Sequence, residues 1–222
     1  MKKNFDGVAF DLDGTLYPNY RFYVRLLPFF LKELPFLMAM GKARSAIRAA
    51  AGDTPFYDRQ ARIMAEVLRE DPAYIRDRTE KLIYRGWEPV FKKIKLCAHV
   101  RETLQSLRDA GLKLGLLSDF PPDTKLDYLG LSGYWDTVLC SEATNRLKPD
   151  PLPFLELIKN MALPPERILY VGNSVSYDII GAKRVGMKTA LFCSPLRKIL
   201  PRRANADFVF SGYRQLCVYV LR

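Results

Sequence analysis

The sequence predicts an α/β fold, a parallel sheet with helices on both faces, joined to a smaller all-α unit. Three observations carry this. Short apolar runs alternate with helical patterns through residues 97–222, several of those runs end abruptly in polar residues, and residues 17–96 interrupt the alternation with helical patterns alone.

The first run, Val8-Ala9-Phe10, ends in Asp-Leu-Asp-Gly and reads as a buried strand feeding a glycine turn. Val100, Leu104 and Leu107 then recur at helical spacing before Gly111 stops the helix expected over 98–110. Residues 113–117 predict a second strand ending at Ser118-Asp119, and 137–140 a third. A helix over 152–161, a fourth strand over 167–171 and the turn Gly172-Asn173-Ser174 follow. A helix over 177–185, a fifth strand over 188–192 and a sixth over 206–210 complete the pattern. In such sheets ligands bind outside the carboxyl ends of the strands, where Asp11, Asp13, Ser118 and Asn173 all fall.

Residues 17–96 show helical periodicities, among them Ile63, Val67 and Leu68, then Ile75, Leu82 and Ile83. Breaks are expected at Pro18, Gly41, Gly52–Pro55, Asp71-Pro72 and Gly86. The insert follows the polar end of the first strand and is therefore expected over the site. It carries 16 Lys and Arg against 9 Asp and Glu, which is most of the net charge of +11. That balance favours anionic partners without choosing among phosphorylated metabolites, nucleic acid and an anionic membrane surface. No nucleic-acid-binding motif accompanies the charge, which disfavours that class. Phe22 to Met40 is aromatic, leucine-rich and basic, but Pro28 and Pro35 break it, so packing inside the insert is expected over contact with lipid.

At 222 residues, 49% hydrophobic, the chain is long enough for a sizeable core. No apolar run spans a bilayer, and the N-terminus reads as no signal peptide. The four cysteines are scattered, with no CxxC pair and one histidine (His99) in the chain, so zinc-ligand spacing is absent and free thiols in a reducing cytoplasm are expected. His99, Trp87, Trp135 and Cys140 read as structural residues.

Asp11 and Asp13 are two apart, so on an extended segment both side chains point to one side. Paired carboxylates repel and need a cation or a shared proton, and hard oxygen donors suit Mg²⁺. Gly14 permits a close turn and Thr15 supplies a hydroxyl to fix it. Ser118 offers a hydroxyl and a neighbouring N–H to a phosphate oxygen, while Asp119 is open between substrate contact and solvation. Lys148, beside Pro149, supplies an ammonium for a carboxylate and a phosphoryl group. Asp178, five residues past Asn173, returns toward the same edge. Taken singly, Ser118 also suits a helix N-cap and Asp178 a helix dipole.

In this order, Asp11-x-Asp13-Gly14-Thr15, Ser118, Lys148-Pro149 and Gly172-Asn173-x₄-Asp178 resemble the haloacid dehalogenase (HAD) superfamily of hydrolases, over roughly residues 5–16 and 97–212. Asp-x-Asp-Gly-Thr alone is expected by chance in about 0.3% of chains this long, before the other motifs are counted. The resemblance implies a Rossmann-like core, 1–16 and 97–222, with a helical cap, 17–96, between the first and second motifs. It further implies a Mg²⁺-dependent phosphatase acting on a small phosphorylated metabolite. Asp11 would attack phosphorus to form an aspartyl-phosphate, and Asp13 would protonate the leaving alkoxide and later take a proton from water. Substrate contacts would come from Gly14, Thr15, Ser118, Asp119 and Lys148, and the metal would be held by Asp11, Asp13, Asn173 and Asp178. The family's dehalogenases lack the second acid, so Asp13 favours phosphoryl transfer. Asn173 departs from the usual aspartate and implies weaker metal binding. A phosphomutase, a non-catalytic anion-binding protein and a peripheral membrane protein using the basic insert are the alternatives.

Overall fold

A computed structural model describes residues 4–50, 52, 54–193 and 205–222 of the chain. Expectations touching 1–3, Ala51, Asp53 and 194–204 lie outside the described residues.

The first strand, β1 (Gly7–Phe10), is wholly buried and leads to the helices α1 (Asn19–Arg25), α2 (Leu27–Lys32), α3 (Leu34–Ala49), α4 (Phe56–Leu68) and α5 (Pro72–Thr79). A π-helical segment, Glu80–Arg85, and a 3₁₀ segment, Glu88–Lys93, lead back to the sheet side. Then follow α6 (Val100–Asp109), β2 (Lys113–Ser118), α7 (Asp123–Leu129), β3 (Thr137–Cys140), α8 (Pro151–Met161) and β4 (Ile168–Gly172). The chain closes with α9 (Ile180–Arg184), β5 (Lys188–Phe192), β6 (Phe208–Phe210) and α10 (Tyr213–Leu221). Among the described residues the strands form one parallel sheet in the order β3-β2-β1-β4-β5-β6. The chain direction reverses across the sheet at β1, which lies between β2 and β4, and ligands favour such a switch point.

The period of two along a strand explains both helical layers. Val8 and Phe10 of β1 join a cluster with Val100, Leu104 and Leu107 of α6 and Tyr213, Leu216 and Val220 of α10. Ala9 faces the other way, into a cluster with Phe154, Leu157 and Met161 of α8 and Ala182 of α9. Both faces of the sheet are therefore covered, as expected. Asp150 starts α8 by accepting a hydrogen bond from Leu152 N (2.9 Å), with Pro151 preset for the first turn.

The inserted helices have their own cluster, in which Phe36, Ala39, Met40 and Ala43 of α3 meet Ala61, Met64 and Ala65 of α4 and Ile75 of α5. Phe22, Leu26, Phe91 and Ile94 instead pack into the sheet-side core, so both ends of the insert are sewn to it. The Phe22–Met40 segment packs through some of its apolar residues and exposes others. Phe22, Leu26, Phe36, Ala39 and Met40 are buried, whereas Tyr23, Leu27, Leu31 and Met38 are exposed.

Three local expectations change. Gly41 does not break the chain but sits within α3 on an open helix face, where a Cβ would meet nothing within 4 Å. The helix expected over 177–185 begins earlier, with a π-helical turn at Val175–Ile179. The helices α7 and α10 answer to no element expected there. No helix among the described residues is long and apolar enough to cross a membrane.

Candidate active site

Of the residues singled out, Asp11, Asp13, Asp119, Lys148, Asn173 and Asp178 line one cavity of about 740 Å³ together with Asn19, Tyr23, Arg48 and Tyr177, whereas Gly14, Thr15 and Ser118 are not among its walls. Asp11 follows β1 directly and continues its pairing, its N–H donating to Val171 O (2.9 Å). Its side chain is 8% exposed. One carboxylate oxygen accepts from Lys148 Nζ (2.6 Å) and the other from Thr15 Oγ1 (2.7 Å). Burial, set against Lys148 and reinforced by Asp178 and Asp13, pushes the Asp11 carboxyl up to about 7.

Lys148 is 3% exposed and is surrounded by acceptors. Its ammonium reaches Asp11 Oδ1, Asp178 Oδ1 (2.8 Å), Leu117 O (3.3 Å) and Tyr170 Oη (3.3 Å). Burial alone would push this lysine down, but Asp11 and Asp178 outweigh it and hold the ammonium charged. Asp178 is in turn held by the backbone, its second oxygen accepting from Asn173 N (3.1 Å) and Ser174 N (3.0 Å). Gly172 makes this tuck possible, because a Cβ there would overlap the Asp178 side chain.

Asp13 occupies a different environment. Lys125 Nζ donates to both its oxygens at 3.0 Å, Tyr17 Oη donates to one, and Ser118 Oγ to the other at 3.3 Å. Ser118 is fully buried and also accepts from Phe120 N (3.1 Å). Directly after the second acid, Gly14 adopts φ +88°, and a Cβ there would overlap the Asn173 amide and come within 2.6 Å of Asn19 Nδ2. The turn is braced from far along the chain, because Tyr213 Oη donates to Thr15 O (2.8 Å).

Asp119 lies on the cavity wall with its carboxylate engaged by Ser141 Oγ (2.6 Å), Lys148 N (3.1 Å) and Arg48 Nη2 (2.7 Å). Burial raises it, but Lys148, Arg44 and Arg48 lower it further, so the carboxyl is held below its usual range. From α3, Arg44 also reaches the Asp119 carbonyl (2.8 Å) and the buried Glu142.

A divalent cation such as Mg²⁺ needs several hard oxygen donors. Asp11, Asp13 and Asp178 each have both carboxylate oxygens hydrogen-bonded within the protein. Among the described residues no three Asp, Glu, His or Cys side chains close around one point. Asp11, Asp13 and Asn173, whose side chains carry hard oxygen, line the cavity, and four carboxylates there (Asp11, Asp13, Asp119, Asp178) meet three cations (Lys148, Lys125, Arg48). The excess negative charge and the raised Asp11 fit a magnesium ion that keeps several waters.

Sequence reasoning missed Lys125, Tyr17, Asn19 and Arg48. Lys125 lies in the first turns of α7 and Arg48 near the end of α3, and neither position has a spacing signal tying it to the strand ends.

A family profile described as haloacid dehalogenase-like hydrolase matches residues 5–186. The chain is 29% identical over 205 residues to a glyceraldehyde 3-phosphate phosphatase of Methanopyrus kandleri, covering 82% of this chain and 81% of that one. It is 30% identical over 213 residues to a phosphoglycolate phosphatase of Salmonella paratyphi A, with coverages of 83% and 79%. Among solved structures it resembles a HAD phosphatase from Thermococcus onnurineus, at 27% identity and TM-score 0.71 over 97% of both chains.

Proposed function

Since this chain belongs to the haloacid dehalogenase-like hydrolases, we propose that it hydrolyses a small phosphomonoester through an aspartyl-phosphate on Asp11, with Mg²⁺ as cofactor. The broader activity, phosphoric monoester hydrolysis, follows from the family and its phosphatase relatives. The observation that carries the finer reading is the division of labour between two acids lining one cavity: Asp11 buried against Lys148, Asp13 gripped by Lys125.

Thr15 and Lys148 hold the two Asp11 oxygens and so fix the direction in which the carboxylate presents itself. Asp11 attacks phosphorus, the P–O bond to the alcohol breaks, and the departing alkoxide takes a proton from Asp13. Asp13 then takes a proton from the water that opens the aspartyl-phosphate, returning free Asp11 and inorganic phosphate. Lys148 stabilises the charge on the transferring group. A bound Mg²⁺, held by Asp11, Asp13 and Asn173, would neutralise charge on the phosphate oxygens. Asp178 and Asp119 act by placement, the first on Lys148 and the second on Arg48 and the 148 loop. Residues 17–96 serve as the cap and close the site from above. The relatives named for glyceraldehyde 3-phosphate and phosphoglycolate support a small phosphorylated metabolite as substrate. Free thiols at Cys97, Cys140, Cys193 and Cys217 support a reducing cytoplasm as its setting.

A phosphatase screen of a metabolite library with Mg²⁺, run beside Asp11→Asn, tests the reading. Phosphate release by the wild type and its loss in the variant are expected. A variant as active as the wild type sinks the assignment of Asp11.

A further inference from the structure

Packing accounts for one side alone of the segment that opens the insert. Pro28 and Pro35 interrupt it, yet α1, α2 and α3 run on as nearly one helix, because the i→i−4 ladder carries across both breaks. Leu26 N donates to Phe22 O (3.2 Å), Phe30 N to Leu26 O (2.8 Å), Glu33 N to Phe29 O (2.9 Å) and Leu37 N to Glu33 O (3.0 Å). Phe22, Leu26, Phe36, Ala39 and Met40 bury its inner side. On the outer side Tyr20, Val24, Leu27, Leu31, Leu34 and Met38 are each more than half exposed. They recur alternately four and three residues apart, the spacing that keeps side chains on one stripe of a helix. Seven of the sixteen large apolar residues exposed among the described residues fall between Tyr20 and Met38, a concentration unlike the single exposed apolar residues usual on a surface.

The edge of this stripe is basic. Arg21, Arg25 and Lys32 each follow a stripe residue directly and so run along one flank, and Lys42 continues the series in α3. Exposed Lys95 adjoins the same flank, its carbonyl accepting from Arg21 Nη1 (2.8 Å). The one acid over residues 19–49, Glu33, is engaged by Arg78 (2.6 Å). The face is thus apolar along its crest and cationic beside it, with no exposed acid of its own.

We propose that this face attaches the protein to an anionic lipid surface. Its leucines and valine enter the boundary between headgroups and acyl chains, while the arginines and lysines reach the lipid phosphates. The helices lie in the interface, since none among the described residues is long and apolar enough to cross a membrane. A second copy of the chain fits the face poorly, because pairing two of them sets basic edges together with no acid to offset the repulsion. The proposal stands apart from the hydrolase reading: α1 contributes Asn19 and Tyr23 to the catalytic cavity, but Arg25, Leu27, Leu31 and Lys32 do not line it.

Flotation with phosphatidylcholine vesicles, alone or with about one-third phosphatidylserine, tests the attachment. The wild type is expected to float with the anionic vesicles at about 0.15 M salt and not with the neutral ones. Leu27→Ser/Leu31→Ser keeps every charge and should bind about tenfold more weakly or less. Arg25→Gln/Lys32→Gln should bind about 25-fold more weakly, at about fivefold per charge, and respond less to salt. All four side chains are exposed, and an unchanged circular dichroism spectrum checks that both variants are folded. Undiminished binding by Leu27→Ser/Leu31→Ser reduces the attachment to net charge and overturns the proposal. Equal flotation with neutral and anionic vesicles overturns it as well, as does flotation with neither. If the wild type floats with neither and sediments as a dimer that Leu31→Ser dissociates, the face belongs to a second copy.

Discussion

Lys125 holds Asp13 through both carboxylate oxygens, each 3.0 Å from the ammonium. The second acid of the site is therefore aimed by a residue from α7, on the far side of β2 in sequence. Lys125→Met is expected to lower kcat for an alkyl phosphate by about 10- to 100-fold. The deficit should shrink with 4-nitrophenyl phosphate, whose leaving group needs little protonation. An equal loss on both esters would mean that Lys125 does not act through Asp13.

Asp11 is costly to keep charged in the metal-free fold. Its folded pKa, about 7, lies above the ordinary 3.8. The folded state thus binds the extra proton, and stability falls as pH rises from about 4 through 7. Asp11→Asn should therefore melt higher than the wild type at pH 8 without Mg²⁺, by about 2 °C or more, with the gap closing near pH 4. Adding Mg²⁺ should raise the wild-type Tm and leave the variant nearly unmoved.

In the proposed site, Asn173 would offer magnesium an amide oxygen in place of a charged one. Asn173→Asp should reduce the Mg²⁺ concentration for half-maximal activity by about threefold or more. An unchanged or higher requirement in a magnesium titration would remove Asn173 from the metal site.

Asp119 binds α3 to the core through Arg48, with Arg44 on its carbonyl. Its depressed pKa means its contribution is present above about pH 3.8 and is lost as pH falls through the lower folded value. The Arg48 pair is partly exposed, so Asp119→Ala should cost only about 1–3 kcal/mol at pH 7. Urea unfolding at pH 7 and pH 3 checks both the size and the convergence.

Gly14 combines a positive φ with contact against two amide side chains. Gly14→Ala should destabilise by about 1–2 kcal/mol from backbone strain alone and reduce kcat sharply, since the turn it distorts carries both acids. Thermal melts and steady-state rates read the two effects separately.

Much of the site was legible because a parallel sheet forces it. Asp11, Ser118 and Asn173 follow buried apolar runs, and adjacent parallel strands bring those ends to one edge. Lys148 and Asp178 were legible through their order after those ends. Lys125, Arg48 and Asn19 were not, because they reach the cavity only when α7 and the insert pack down. The helix α10 carries Tyr213, Leu216 and Val220 on one face, a pattern obscured by further apolar residues at Val218 and Leu221. Gly41 misled because a helix tolerates glycine on an open face when the buried positions around it, Met40 and Ala43, anchor the turn.

The hydrogen bond from Tyr213 to Thr15 joins α10 to the loop after β1. During synthesis the strand bearing Asp11 is made before α10, and the hydroxyl that braces its turn follows some 200 residues later. The turn that carries both acids is therefore braced only once α10 has been made. A polypeptide stopped after β6 would possess all the acids and lysines named above and still lack the brace that keeps their turn in register.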